Sequence, residues 1–196
     1  MEAKMALYKY LKNFWEKPTE EYINVRRERL LKWRHEPVTL RIEHPTRLDR
    51  ARAVGYKAKQ GYIIVRQRIE RGGRMRPDIK GARRPRHNSQ RKDLEKNYQQ
   101  VAEERAARIY PNLEVLNSYF ADQDGLHYWF EVIMVDKKLP EIRADKNISW
   151  INEPQHRRRV FRGLTAAAKR SRGLWNKGKG AEKCRPSIRA KHRQGK

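Results

Sequence analysis

The sequence predicts an α+β body with a small, mostly antiparallel sheet and packed helices, extended by long basic segments and an irregular C-terminal tail. Three observations carry that prediction. Residues 113–120 and 127–135 are rich in β-branched and aromatic side chains and flank Asp122-Gln123-Asp124-Gly125, a hairpin turn. Residues 93–109 repeat Leu94, Tyr98, Val101, Ala102 and Ile109 at helical spacing and stop at Pro111. Charge and apolar residues are also segregated. Residues 97–153 hold six Lys/Arg against ten Asp/Glu and 15 of the 38 Leu, Ile, Val and Phe. Residues 154–196 hold fifteen Lys/Arg against one Glu, and only five of those apolar residues.

In chain order, residues 5–15 read as a short helix with Leu7, Leu11 and Phe14 on one side. A second helix opens at Thr19, a suitable N-cap with Glu20 and Glu21 in the first turn, and stops before Pro37. Residues 38–60 give mixed signals and read as irregular, basic chain. Residues 62–69 read as a strand: Ile63, Val65, Gln67 and Ile69 share one face, expected to bury. Tyr62, Ile64, Arg66 and Arg68 share the other, whose guanidiniums are expected to meet phosphate. Gly72-Gly73 breaks the strand, and 71–92 reads as an extended basic loop. Residues 140–152 read as a short helix or loop, with Trp150 and Ile151 closing the core. The organisation is therefore N-terminal helices over 1–37, an irregular basic segment over 38–60, an α+β body over 61–153 with the loop 71–92 inserted, and a basic tail over 154–196. Apart from a short helix at 164–170, that tail lacks periodicity. It is expected to be disordered when free, because it buries too little apolar surface to offset about 1–2 kcal/mol of ordering entropy per residue.

Composition narrows the function. The 196 residues include 48 Lys+Arg against 23 Asp+Glu, a net charge of +25, with a pI near 10.6. Such a charge repels itself unless a polyanion neutralises it, and nucleic acid is the commonest one in cells. Apolar runs such as Val132-Ile133-Met134-Val135 are too short for a membrane span, and no apolar stretch resembling a secretory signal follows the N-terminus. The single Cys184 makes neither an internal disulfide nor a cysteine-based zinc site. An intracellular, cytoplasmic location is expected.

The motifs point the same way. Between Gly55 and Gly61, Tyr56, Lys57 and Lys59 lie in a flexible loop that runs into Tyr62. Its spacing lacks the Gly-Lys-Ser/Thr of a phosphate loop, but it suits sugar-phosphate contact and base stacking. Arg71, Arg74 and Arg76, followed by Lys80, Arg83, Arg84, Arg86 and Arg91, form a dense cationic strip whose planar forks match phosphate. Replacing Arg74 and Arg76 with alanine is expected to weaken RNA binding and flatten its salt dependence. In the tail, Arg157, Arg158, Arg159, Arg162, Lys169, Arg170, Arg172, Lys177 and Lys179 alternate with glycines, and Trp175, with no core to join, is a stacking candidate. Trp129 and Phe130 read as core aromatics. Enzymatic signals are weak: the histidines show no metal-binding pair, and of Glu103-Glu104 on the predicted helix, Glu104 reads as a surface i,i+4 salt bridge with Arg108. No catalytic residue, metal, cofactor or small-molecule substrate is expected.

Several blocks, taken in order, resemble a known family. Gly55-Tyr56-Lys57-Ala58-Lys59-Gln60-Gly61-Tyr62 running into Arg71-Gly72-Gly73-Arg74 resembles the signature of the archaeal and eukaryotic large-subunit ribosomal protein L15e family. Ala6 to Trp15, Val101 to Ala106, Val115 to Tyr119, Phe130 to Ile133, Arg162 to Thr165 and Ser171 to Leu174 continue the likeness over nearly the whole chain. Departures at Ala82 to Gln90, and an end shorter than the eukaryotic one, favour an archaeal member. The resemblance implies a structural ribosomal protein without a catalytic site. Its body would be a small α+β unit whose extensions thread between helices of large-subunit ribosomal RNA, beside neighbouring large-subunit proteins. The alternatives weighed against it are a general nucleic-acid-binding or DNA-compacting protein and an RNA-modifying enzyme.

Overall fold

The computed structural model describes residues 2–73, 75, 78, 81, 94–178, 180–187, 190 and 192, with 2–6 and 183 as backbone only. In chain order the elements are α1 (Glu2–Glu16), α2 (Glu20–His35), β1 (Thr39–Ile42), α3 (Leu48–Ala53), β2 (Tyr62–Glu70), α4 (Tyr98–Ile109), β3 (Leu113–Gln123), β4 (His127–Asp136), α5 (Pro140–Ala144) and α6 (Ala166–Ser171). Short 3₁₀ turns occupy Ser149–Asn152, Pro154–His156 and Ala181–Cys184. The α+β reading holds: the four strands form one antiparallel sheet in the order β1-β2-β4-β3.

Local chemistry explains the boundaries. Thr19 caps α2 by accepting from the Tyr22 N–H at 3.4 Å, and Asn97 caps α4 by accepting from Gln100 N–H at 2.7 Å. At the β3–β4 turn the Asp124 carboxylate accepts from the backbone N–H of Leu126 and His127, at 2.7 and 2.5 Å. Gly61 enters β2 at φ +90°, and a Cβ there would lie 2.6 Å from the Ile142 side chain, so only glycine fits.

The sheet is covered on both faces. On one, Val65, Ile69, Val115, Phe130, Val132 and Met134 pack against α4, whose Ala102 and Ala106 let the helix approach closely. On the other, Ile64, Tyr119 and Ile133 meet Ala51 of α3 and Tyr56, while Trp129 and Ala121 meet Trp33 of α2. Ile142, Ile148 and Ile151 close the end beside Val135, with half-buried Trp150 packed on them. Burying Ile142 or Ile151 completely removes an aliphatic side chain from water, worth about 1.5–3 kcal/mol each.

Three expectations change. Residues 38–60, read as irregular, supply β1 and α3, because an edge strand of four residues and a helix of six are too short to show periodicity. The second face of β2, read as solvent-facing, is buried at Ile64 and Arg66 by α2 and α3. The stretch from 154, read as free chain, folds onto the body as far as α6. Val160 joins the core against α4, and Thr165, Ala167 and Ala168 are buried. Thr165 caps α6 and donates 2.6 Å to the Glu103 carboxylate. Here polar anchors replace the aliphatic residues that the sequence lacks.

Candidate nucleic-acid interface

The cations of the body are largely tied to the body's own acids. Lys57 and Lys59 both reach Asp145, at 2.9 and 2.7 Å, and Lys59 also donates to the Glu141 carbonyl at 3.2 Å. The Lys59 and Lys57 ammonium groups hold the Asp145 carboxyl well below the usual carboxylate range. Arg66 pairs with Glu36, and its guanidinium lies 4.2 Å from the Trp33 ring centroid. Arg68 donates to the Arg34 carbonyl at 2.6 Å, and Arg71 to the Asp124 carbonyl at 2.5 Å while lying over Tyr128. Tyr56 is buried edge-on to half-buried Tyr62. The structure therefore places Tyr56 and Arg66 inside the body, away from a surface where a base or phosphate could reach them. Arg68 and Arg71 lie at its edge.

The C-terminal set is built differently. Arg159 is buried, and its guanidinium donates to the carbonyls of Val115, Leu116 and Leu164 at 2.9, 2.7 and 3.4 Å. It is a bolt between the C-terminal segment and β3, and burial lowers its pKa from the ordinary arginine value. Around it Arg157, Arg158, Arg162, Lys169 and Arg170 are exposed. Arg162 donates to the carbonyls of Arg157 and Gln155, half-buried Arg172 to that of Gly163 at 2.8 Å, and Arg158 lies over Phe161. Carbonyls and rings orient these groups without cancelling their charge. Among the described residues, none of the cations from 157 to 172 forms an ion pair. Lys177 is exposed beyond them. Arg74, Arg76, Lys80, Arg83, Arg84, Arg86, Arg91 and Lys179 lie outside the described residues.

Two depressions mark the basic side. One, of about 310 Å³, lies where the end of α4 meets the C-terminal segment, with Arg108, Arg157, Arg158 and Lys137 at its walls; Glu114, paired with Lys137 at 3.0 Å, is its acid. The other, of about 410 Å³, runs between α3, β3 and α6. Arg47, Arg50 and Arg170 line it together with Phe120 and Trp175. Sequence reasoning found only Arg170 and Trp175 there. Arg47 and Arg50 sit one turn apart at the start of α3, a spacing visible only once that segment is known to be helical.

The two adjacent glutamates on α4 divide. Glu104 keeps the predicted pairing with Arg108, at 3.6 Å, and adds Lys96 at 2.9 Å, but it is buried and not the surface residue expected. Glu103, its neighbour on the helix, is fully buried and accepts from Ser118 and Thr165. Burial raises its pKa despite those bonds. Trp129 and Phe130 are core residues, as read. Among the described residues no cluster of three His, Cys, Asp or Glu could hold a metal ion, and no helix is long and apolar enough to cross a membrane.

A sheet covered on both faces, with exposed cations on the C-terminal segment that form no ion pair among the described residues, has the charge arrangement of a polyanion-binding scaffold. Comparison with known proteins specifies it. The family model described as "Ribosomal L15" matches residues 6–191. The large ribosomal subunit protein eL15 of Thermoplasma volcanium, an archaeal protein, is 52% identical over 190 residues, covering 95% of this chain and 96% of its own length. The chain belongs to the ribosomal L15e family, structural and non-enzymatic constituents of the cytoplasmic ribosome that serve translation.

Proposed function

We propose that this protein binds and stabilises large-subunit ribosomal RNA, the sheet acting as a rigid anchor and the basic segments neutralising phosphates where RNA helices converge. The observation that carries this reading is the set of exposed cations on the C-terminal segment, without an ion pair among the described residues and joined to the body by Arg159. Each phosphate contact releases condensed counterions, so affinity falls steeply with salt. The narrow major groove of RNA excludes side chains, so shape, 2′-hydroxyls and unstacked bases are the features read. Arg157, Arg158, Arg162, Lys169, Arg170, Arg172 and Lys177 form the core of the phosphate-binding set. Arg74, Arg76, Lys80, Arg83, Arg84, Arg86, Arg91 and Lys179 join it on charge alone. Neighbouring large-subunit proteins are the further partners, and exposed Leu7, Tyr10 and Phe14 on α1 are available to them.

The test is binding of the full chain to large-subunit ribosomal RNA across a salt series, with duplex DNA as competitor. A steep salt slope and preference for the ribosomal RNA support the reading. Equal affinity for DNA favours a general nucleic-acid-binding protein instead.

A further inference from the structure

The groove between α3, β3 and α6 has a composition that phosphate neutralisation alone does not require. Three arginines line it, Arg47, Arg50 and Arg170, and among the described residues no carboxylate does. Its walls also carry two aromatic rings that reach solvent: Phe120 is 38% exposed and Trp175 is 51% exposed. The Arg170 guanidinium sits 4.8 Å from the Trp175 ring centroid, which helps fix the indole at the mouth. Between the charged and aromatic parts lie two amides. Gln99 donates to Ser118 through its NH₂ group, and Asn117 accepts from Ser118 N–H through its carbonyl oxygen. Among the described residues the Gln99 carbonyl oxygen and the Asn117 NH₂ remain unused, one acceptor and one donor.

Arg47 adds an independent observation, a buried guanidinium with unused donor capacity. Its side chain is 11% exposed and lies over the Trp15 ring at 4.5 Å. Its Nε is buried without a hydrogen-bond partner. Its ion-pair partner, Asp49, stands 3.7 Å away, too far for a hydrogen bond, and one Asp49 oxygen is itself unpartnered. A buried, incompletely satisfied guanidinium facing a basic groove is costly unless an anion completes its shell.

We propose that this groove seats one unstacked RNA nucleotide, its base against Trp175 and Phe120, its edge on Asn117 and Gln99, and its phosphate on Arg47, Arg50 and Arg170. The inference rests on the RNA-binding function and adds a base-stacking contact to it. The volume, about 410 Å³, falls in the range of sites for small ligands. A base inside a duplex cannot lie flat on an indole, so the occupant is single-stranded or flipped out.

The experiment compares Trp175→Ala and Trp175→Phe with the unaltered full chain, using a 12-nucleotide single-stranded oligoadenylate and a 12-base-pair RNA duplex at one ionic strength. Circular dichroism establishes that each variant is folded. Trp175→Ala is expected to bind the oligoadenylate about 5- to 100-fold more weakly, the range for loss of one base–aromatic stack, with duplex affinity and salt slope unchanged. Trp175→Phe should recover most of the loss. Lys169→Ala, an exposed cation outside the groove, should weaken both RNAs alike. An unchanged oligoadenylate affinity in Trp175→Ala, or an equal loss on duplex, overturns the nucleotide seat while leaving phosphate binding intact. An unaltered chain that binds neither RNA overturns both.

Discussion

The stretch 57–71 and the C-terminal segment carry the same residue types in opposite roles. Between 57 and 71 the cations face the acids and carbonyls of the block 97–153 and its neighbours: Lys57 and Lys59 on Asp145, Arg66 on Glu36, Arg71 on the Asp124 carbonyl. From 157 to 172 the described residues offer no carboxylate partner, so guanidiniums rest on carbonyls and rings and keep their charge. Net charge sums cations and acids wherever they lie. Which cations stay uncancelled is decided by where the fold places the acids, among them Asp145 in the acidic middle of the chain and Glu36 at the end of α2.

The largest expected effect breaks the joint between the two regions. Arg159→Ala leaves the carbonyls of Val115, Leu116 and Leu164 without their donor in a buried place. A loss of about 3 kcal/mol is expected, read as a lowered urea midpoint. Protease cleavage around 157–172 should accelerate more than cleavage within β2 or β4. Arg159→Lys should restore little, because a single ammonium cannot replace a fork that reaches three acceptors. Uniform cleavage throughout the chain would show that this segment does not open separately.

Next in size is removal of uncancelled charge. The double variant Arg157→Ala with Lys169→Ala should reduce the magnitude of the log–log salt slope for RNA binding by about 1.5, close to one counterion per lost phosphate contact. Stability should change little, since both side chains are exposed and make no ion pair among the described residues. An unchanged slope would remove them from the phosphate-binding set. Asp145→Asn makes the converse change, releasing Lys57 and Lys59. If internal pairing is what withholds body cations from RNA, the slope should steepen by about 1. A slope that stays constant would mean those lysines already reach phosphate while paired.

What the sequence disclosed, and what it hid, divides along the same line. Long periodic signals survived into the fold: strand β2, the Thr19-capped helix α2 and the β3–β4 hairpin appear where pattern placed them, although β3 runs on through Asp122 and Gln123, and α4 begins at Tyr98, five residues later than the pattern from 93, leaving Leu94 outside it. Short elements did not announce themselves. The helix α3 has six residues, and Arg47 and Arg50 became neighbours in a groove only through it. Burial of Arg66, Arg159 and Glu103 was invisible because each is a charged residue enclosed by partners distant in sequence: Glu36, the carbonyls of β3, and Ser118 with Thr165. Composition could not show that 154–171 folds, since its packing uses alanines and a polar network more than aliphatic bulk.

The smallest expected effect tests the acid side of the comparison by pH. Burial pushes the Asp124 carboxyl up, but hydrogen bonds from Arg34 and from the backbone of His127 and Leu126 outweigh it and bring the group from 3.8 down to about 2. A carboxyl with a depressed folded pKa stabilises the native state above its unfolded value, and that contribution disappears as pH falls from about 4 toward 2. Arg34 is half exposed and screened by water, so the contribution is about 1 kcal/mol. Asp124→Asn should therefore lower the urea midpoint slightly at pH 7, while the two proteins converge near pH 2. Glu131 has the opposite sign: fully buried beside Tyr119, it has a raised pKa, so its protonated form is the one folding favours. Stability linked to Glu131 is complete below about pH 4 and declines as pH rises through its folded value. Glu131→Gln should flatten that decline and leave the Asp124 limb in place. Should Asp124→Asn keep a constant deficit at every pH, the turn would be held by geometry alone, and charge pairing within the body would lose its energetic meaning there.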